Sequence, residues 1–367
     1  MINTGTINVN SDGDSGQFIP GQSVGILSQN LSDGTIDNRG TINLNGANNV
    51  GIKAVRGGQA ASSGVININI AAGQSTLRNY GAWVDGAGSN IGIAGDINLN
   101  GDGAIGVHAR DGGVINLSGN AAINFSSGTK QIGYFIYGSG SQINNSSSSV
   151  QNVSSDNSTL MRLDGGANFT GSAIQGSSMV SSGKNSVVLS ATGTGTSVNT
   201  GSLTLDLLGT GSTGVLIEGG ATGVIDANTA LQLNNASAIA AIADGNGYDL
   251  TGALTTTGDS STKLNSAAAL SSTQNTVTGY IARNGATLEN SGSISFDGEN
   301  TIGIEVLDGS AGTNSGSITL NDGGVGLKAS SSNLITTVNN TGDLTLKGGA
   351  DDNRTTGNRQ RCRGGCR

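Results

Sequence analysis

The chain is poor in what a globular enzyme of its length usually carries. Among 367 residues only 3% are aromatic and 11% charged, with 1 proline and 1 histidine. So few rings and charges exclude the mixed core and charged surface of an ordinary globular enzyme. They leave disorder or a repetitive solenoid with a thin aliphatic core, and periodic Ile, Leu and Val phrases argue against disorder. Cysteine is confined to Cys362 and Cys366, so residues 1–361 hold no disulfide framework. A Cys-x-x-x-Cys pair without further Cys or His is a weak metal signal. A thiol-free, Gly-rich body fits export through an oxidising compartment. No apolar run has the length of a membrane helix. The formal charge is −8, but Arg354, Arg359, Arg361, Arg363 and Arg367 crowd the tail. Without these five, 12 basic residues face 25 acidic ones, or −13. An acidic body with no basic stripe excludes nucleic acid as a partner.

What the chain does have is glycine, 63 residues of it, in a phrase that returns: Asn-x-Gly-x-(Ile/Leu)-x-(aliphatic or Phe). Clear copies start at Asn3, Asn38, Asn199, Asn290, Asn314 and Asn340. A second phrase, aliphatic-Gly-aliphatic, occurs at Val24–Ile26, Val50–Ile52, Ile105–Val107, Ile302–Ile304 and Val325–Leu327. Gly40 precedes Gly51 by 11 residues, Gly95 precedes Gly106 by 11, and Gly316 precedes Gly326 by 10. A repeat every few tens of residues signals a solenoid. Within each phrase apolar residues fall at alternate positions, the period of a strand, so Ile42 and Leu44 share one face. Stacked coils bury what one coil cannot. The expected fold is therefore all-β, a right-handed parallel β-helix. Gly marks a turn, the Ile/Leu pair fills an aliphatic stack, and Asn residues face out and ladder along the surface. At roughly 24 residues per coil, about 14 to 15 coils fit. One β-helical domain is expected over 1–348, irregular at 140–190 and 225–280, where the phrases lose register. Those two stretches read as degenerate coils with insertions, or more sharply as a lateral segment carrying a site. Residues 349–367 read as a disordered, basic, Cys-containing tail.

The wording Asn-x-Gly-x-Ile-x-Leu-x-Gly followed by Val-Gly-Ile, carried here by Asn38–Gly46 with Val50–Ile52 and by Asn290–Gly298 with Ile302–Ile304, resembles the passenger domains of bacterial autotransporters, the type V secretion proteins. The resemblance covers most of 1–348, strongly at both ends. It implies an extracellular or outer-membrane-surface β-helix engaged in adhesion or self-association. Partners implied are a host surface, matrix protein, glycan or second copy. The membrane barrel and signal peptide of a full-length relative are not recognisable here. The repeat begins within Met1–Thr4 and the Arg/Cys/Gly tail breaks it abruptly, which reads as a fragment or an interrupted gene product.

Sites of chemistry are weakly marked. Gly209–Gly214 matches Gly-x-Gly-x-x-Gly but leads into Val215–Ile217, a strand pattern rather than the helix a dinucleotide loop needs. Gly245–Leu250 partly resembles one calcium nonapeptide repeat, which works only in tandem. Asp12/Asp14 and Asp351/Asp352 read as solvated turns. His108 has Asp111 near it in sequence but no second histidine, and a strand edge with a turn explains both. No catalytic residue, cofactor or metal is expected, and the chain is not read as an enzyme. If a ligand surface exists it should lie where the rings concentrate: Tyr80, Trp83, Tyr134, Phe135 and Tyr137. Core or stacking roles compete for the same rings. A β-helical carbohydrate-active protein, a lyase or tailspike type, is the alternative function, and an inert truncated product a third.

Overall fold

Alternating apolar residues, closed at both ends by Gly, Asn or Ser, build short strands and little else. A computed structural model describes residues 1–10, 22–30, 36–70, 78–175, 178–321, 323–331 and 334–347, together with the backbone of 351–356 and 360–363. These form an all-β parallel solenoid, with one 3-10 turn at Gly171–Ala173. The pair Asp12/Asp14, the side chains of Asp351/Asp352, and Cys362, Cys366 and the tail arginines lie outside the described side chains. The backbone strands Asp351–Thr356 and Gln360–Arg363 pair in parallel with Val325–Ser330 and Thr336–Asn340.

The chain divides into two compact units. Unit one comprises Met1–Asn168 and Ala173–Met179. Each of its coils has three sides. In one coil they are Ile36–Asn38, Thr41–Leu44 and Asn49–Val55, after which Gln59–Ser62 begins the next. Equivalent strands pair in parallel from coil to coil, giving a first sheet of 6 strands, a second of 5 and a third of longer strands. Ile42, Leu44, Ile66, Ile68, Ile97 and Leu99 point inward and are fully buried. Unit two, Phe169–Ser172 with Val180–Arg367, is built the same way. There Asn290 ends one strand, Ile294–Phe296 forms the next side, and Ile302–Leu307 the third.

Coil length is not constant. Residues laddered on adjacent coils lie 24, 26, 31 or 35 positions apart. Fewer coils therefore fit than a uniform 24-residue repeat would give. Within 140–190 short strands such as Gln142–Asn145 and Thr159–Asp164 continue, but the first sheet ends at Gln142–Asn145 and new sheets begin at Gln151–Val153 and Asn168–Thr170. Within 225–280 one coil reaches 39 residues, measured from Leu233 to Ser272. It holds an antiparallel hairpin, Gly247–Tyr248 with Leu254–Thr256. The hairpin is anchored by buried Asp244, which accepts from Arg283 Nε at 2.6 Å, Asn284 Nδ2 at 2.7 Å and Asn246 N at 2.9 Å.

Two kinds of asparagine have to be separated. Asn199 is exposed, but in three of the Asn-x-Gly phrases the Asn does not face out: Asn38, Asn290 and Asn314 are buried at the corner between the first two sides. Each caps its own turn by donating to the glycine carbonyl two residues on, at 2.9 Å for Asn290. Asn290 also donates to Asn314 Oδ1, and Asn314 to Asn340 Oδ1, both at 2.8 Å. A buried amide needs such partners, and only the inward corner supplies them. The second asparagine, between the two inward aliphatics, does face out. Nδ2 of Asn43, Asn67, Asn98 and Asn124 donates to Oδ1 one coil earlier, at 2.8–2.9 Å. A parallel column joins Asn10, Asn45, Asn69 and Asn100.

At Gly40, Gly64, Gly292, Gly316 and Gly342 the corner glycine is required by close approach rather than by backbone dihedral; Gly201 instead takes a positive φ of 55°. A Cβ on Gly64 would sit 1.9 Å from Gly40 O, and one on Gly316 1.9 Å from Gly292 O. Glycine elsewhere is not so constrained: a Cβ on Gly92 would meet nothing within 4 Å. Gly64→Ala should therefore cost about 2–4 kcal/mol, whereas Gly92→Ala should be neutral or stabilise by up to about 1 kcal/mol. Urea melts of the two variants check this, and equal destabilisation would show that coil stacking is not what selects glycine.

Candidate functional site

Two positions after the glycine of each aliphatic-Gly-aliphatic step, the third sheet turns a side chain outward. In unit one these are Lys53, Trp83, His108 and Phe135. Parallel pairing sets Lys53 beside Trp83, Trp83 beside His108, His108 beside Phe135, and Phe135 beside Arg162. The result is a continuous column of rings with a cation at each end.

The rings use one another's faces. His108 stacks on Phe135 with centroids 4.5 Å apart and planes at 17°. Trp83 meets His108 edge-on at 4.8 Å and 86°, and Tyr80 lies 4.6 Å from Trp83. Lys53 Nζ sits 4.7 Å from the Trp83 ring centroid and donates to Gln22 Oε1 at 3.1 Å. Such contacts are worth roughly 0.5–1.5 kcal/mol each beyond the area they bury. Trp83, His108 and Phe135 are 3–4% exposed. Trp83 Nε1 and His108 Nδ1 have no hydrogen-bond partner among the described residues.

Burial is the main force on the titratable groups here. It holds His108 far below its ordinary value, at about 3, helped by the Arg110 and Lys53 cations and opposed by a hydrogen bond with the Phe135 backbone. The imidazole is therefore neutral at physiological pH. Burial also lowers the Lys53 ammonium, against the attraction of Asp85. Asp111 does not orient His108. Its carboxylate takes the Arg110 guanidinium at 2.8 Å, and its backbone turns through positive φ at 48°.

Of the five rings expected to mark a ligand surface, the fold brings four to one face and sends one away. Tyr80, Trp83, Phe135 and Tyr137 are outward. Tyr134 is inward, because strand alternation puts it on the opposite face from its neighbour Phe135. It is fully buried, donates its hydroxyl to Gln151 Oε1 and accepts from Asn145 Nδ2 at 3.3 Å. Tyr137 is the most open of the outward rings at 36%, with two neighbours against it. The Arg110 guanidinium lies 5.4 Å from its centroid, and Gly165 approaches it so closely that a Cβ there would come within 2.8 Å of the ring. The members that sequence reasoning missed are Lys53 and His108. Counting two residues on from Gly51, Gly81, Gly106 and Gly133 would have found both.

The other sequence motifs resolve into coil parts. Gly209 is a corner glycine whose Cβ would lie 2.0 Å from Gly183 O, and Thr213–Glu218 follows as a strand, not a helix. In Gly245–Leu250 the Asp249 carboxylate closes the hairpin turn, accepting from Thr251 N, Thr251 Oγ1 and Ala253 N at 2.6–2.9 Å. Those bonds, chiefly the Thr251 hydroxyl, hold its pKa down. Among the described residues no group of three or more His, Cys, Asp or Glu side chains converges to hold a metal ion. Comparison of the chain with protein-family models, curated proteins and solved structures finds no match.

The buried imidazole makes stability depend on pH in a definite direction. The folded pKa of about 3 lies below the ordinary 6.5, so the unfolded chain takes up a proton that the folded chain refuses. This contribution is intact above pH 6.5 and falls away as pH drops toward 3. Between pH 7.5 and pH 5 it should remove about 2 kcal/mol. His108→Phe, which keeps the stack, should flatten that part of the profile. Urea titrations followed by the fluorescence of Trp83, the single tryptophan, read it directly. An unchanged pH profile in the variant would refute the assignment.

Proposed function

We propose that the chain is a non-enzymatic extracellular β-helix of the autotransporter-passenger kind, acting as a stalk for adhesion or self-association at a bacterial outer surface. The observation that carries this reading is the coil-to-coil registry of its outward side chains. One asparagine per coil becomes a continuous ladder, as in Asn43–Asn67–Asn98, and one ring per coil becomes a continuous stack. A surface that repeats at strand spacing suits contact with another extended or repetitive surface, and it lengthens simply by adding coils. The groups that could carry chemistry serve packing: His108 and Trp83 in the stack, Asp244 at the hairpin base, Tyr280 bonded to Ser266 Oγ at 2.6 Å. The rings around which a bound sugar would first be sought lie against one another, Trp83 against Tyr80 and His108.

Purified chain should bind cultured host cells or matrix-coated surfaces above a scrambled-sequence control, or associate with itself in sedimentation velocity as concentration rises. Neither binding nor association, in protein with a cooperative β-type melt, would overturn the reading.

A further inference from the structure

The two asparagine columns on the second sheet of unit one hold hydrogen-bonding capacity that the ladders do not use. Each side-chain amide offers two N–H groups and two oxygen lone pairs. A ladder step consumes one of each. The steps also run in the same sense, from Nδ2 of the later coil to Oδ1 of the earlier one, at Asn43, Asn67 and Asn98 in one column and at Asn45 and Asn69 in the other. Each amide inside a column therefore keeps one N–H and one lone pair directed off the ladder, and the aligned chain polarises both.

The grid is regular in two directions. Asn67 and Asn69 are two residues apart on one strand, about 6.7 Å, and successive coils are about 4.8 Å apart. The residue between them, Ile68, is fully buried on the other face, so the strip between the columns is floored by backbone. The neighbouring position on this face is Thr41, Val65 and Asp96 in successive coils, so the one charge there is negative and the face carries no cation.

We infer that this grid is a binding site for an extended, uncharged, β-linked polysaccharide lying along the coil axis, each sugar unit meeting one asparagine pair. A sugar hydroxyl is a donor and an acceptor at once, which matches the spare N–H and lone pair of each amide. An extended β-linked hexose chain advances by about one coil spacing per sugar. A face with no cation, and with Asp96 at its edge, gives no purchase to an anionic polymer. Single contacts are weak, and affinity comes from repeating them along the columns. The inference rests on the adhesive reading above and names its ligand class.

The test is calorimetric titration of the full chain with cellohexaose and with N-acetylated chitohexaose. Binding should tighten by at least about tenfold from disaccharide to hexasaccharide and change little with salt. Asn67→Ala with Asn69→Ala should weaken it about tenfold, the loss of roughly two net hydrogen bonds. Asn116→Ala is the control. It breaks an equivalent 2.9 Å ladder bond to Asn144 on the first sheet and should leave binding unchanged. No binding of either hexasaccharide, no dependence on length, or full affinity in the double variant would overturn the inference. Cell or matrix adhesion that survives in the double variant would sink this site while leaving the adhesive reading standing. Loss of self-association in that variant without any sugar binding would assign the face to a second copy instead.

Discussion

Everything in this protein hangs on how closely one coil's backbone rests on the next. At the corner between the first two sides, the glycine Cα lies so near the previous coil's carbonyl that a Cβ would overlap it: about 1.9 Å at Gly40 and Gly64 in unit one, 2.0 Å at Gly292 and Gly342 in unit two. The glycine of the second phrase is held almost as tightly, with 2.5 Å at Gly51 and 2.6 Å at Gly106. Two such contacts per coil leave no freedom to slip, since a one-residue slip would turn every side chain to the other face. Register is thus set by backbone packing, and side chains inherit it.

Once register is set, a residue placed once per coil becomes a column. Inward, Ile42, Ile66 and Ile97 make an aliphatic stack. At the corner, Asn290, Asn314 and Asn340 chain together. Outward, columns of amides, rings and ion pairs appear, the last at Lys263–Glu289 and Lys328–Glu305. Each amide bond nets about 1 kcal/mol and each exposed ion pair less. Their weight lies in repetition, because every coil adds the same terms and is supported mainly by its neighbours. In the ring column, side chains that would otherwise offer a ligand site are taken up in packing.

Much of this is legible in the linear chain. Alternation in Thr41–Asn45 sorts inward from outward residues, and the paired glycine phrases announce two of the three sides of a coil. Three things are not. Asn38 and Asn43 look alike in sequence, yet one is buried at a turn and the other ladders in solvent, because a corner reverses which neighbours an amide can reach. His108 and Trp83 stand 25 positions apart, and their contact depends on a coil length that varies from step to step. Tyr134 sits next to Phe135 but on the other side of the sheet, so grouping rings by proximity in sequence joins two faces that never meet.

By itself, then, the sequence determined that the chain repeats, the strand character and the identity of the inward aliphatic set, since these follow from local alternation and from glycine's missing side chain. Which outward residues touch, and whether a ring is open or covered, was decided only by tertiary structure. Those contacts run between coils 24 to 39 residues apart, and where an insertion such as the Gly247–Thr256 hairpin is absorbed sets which residues become neighbours. Local pattern carries no information about that choice, because each coil satisfies its own strands equally well whatever lies in the loops between them.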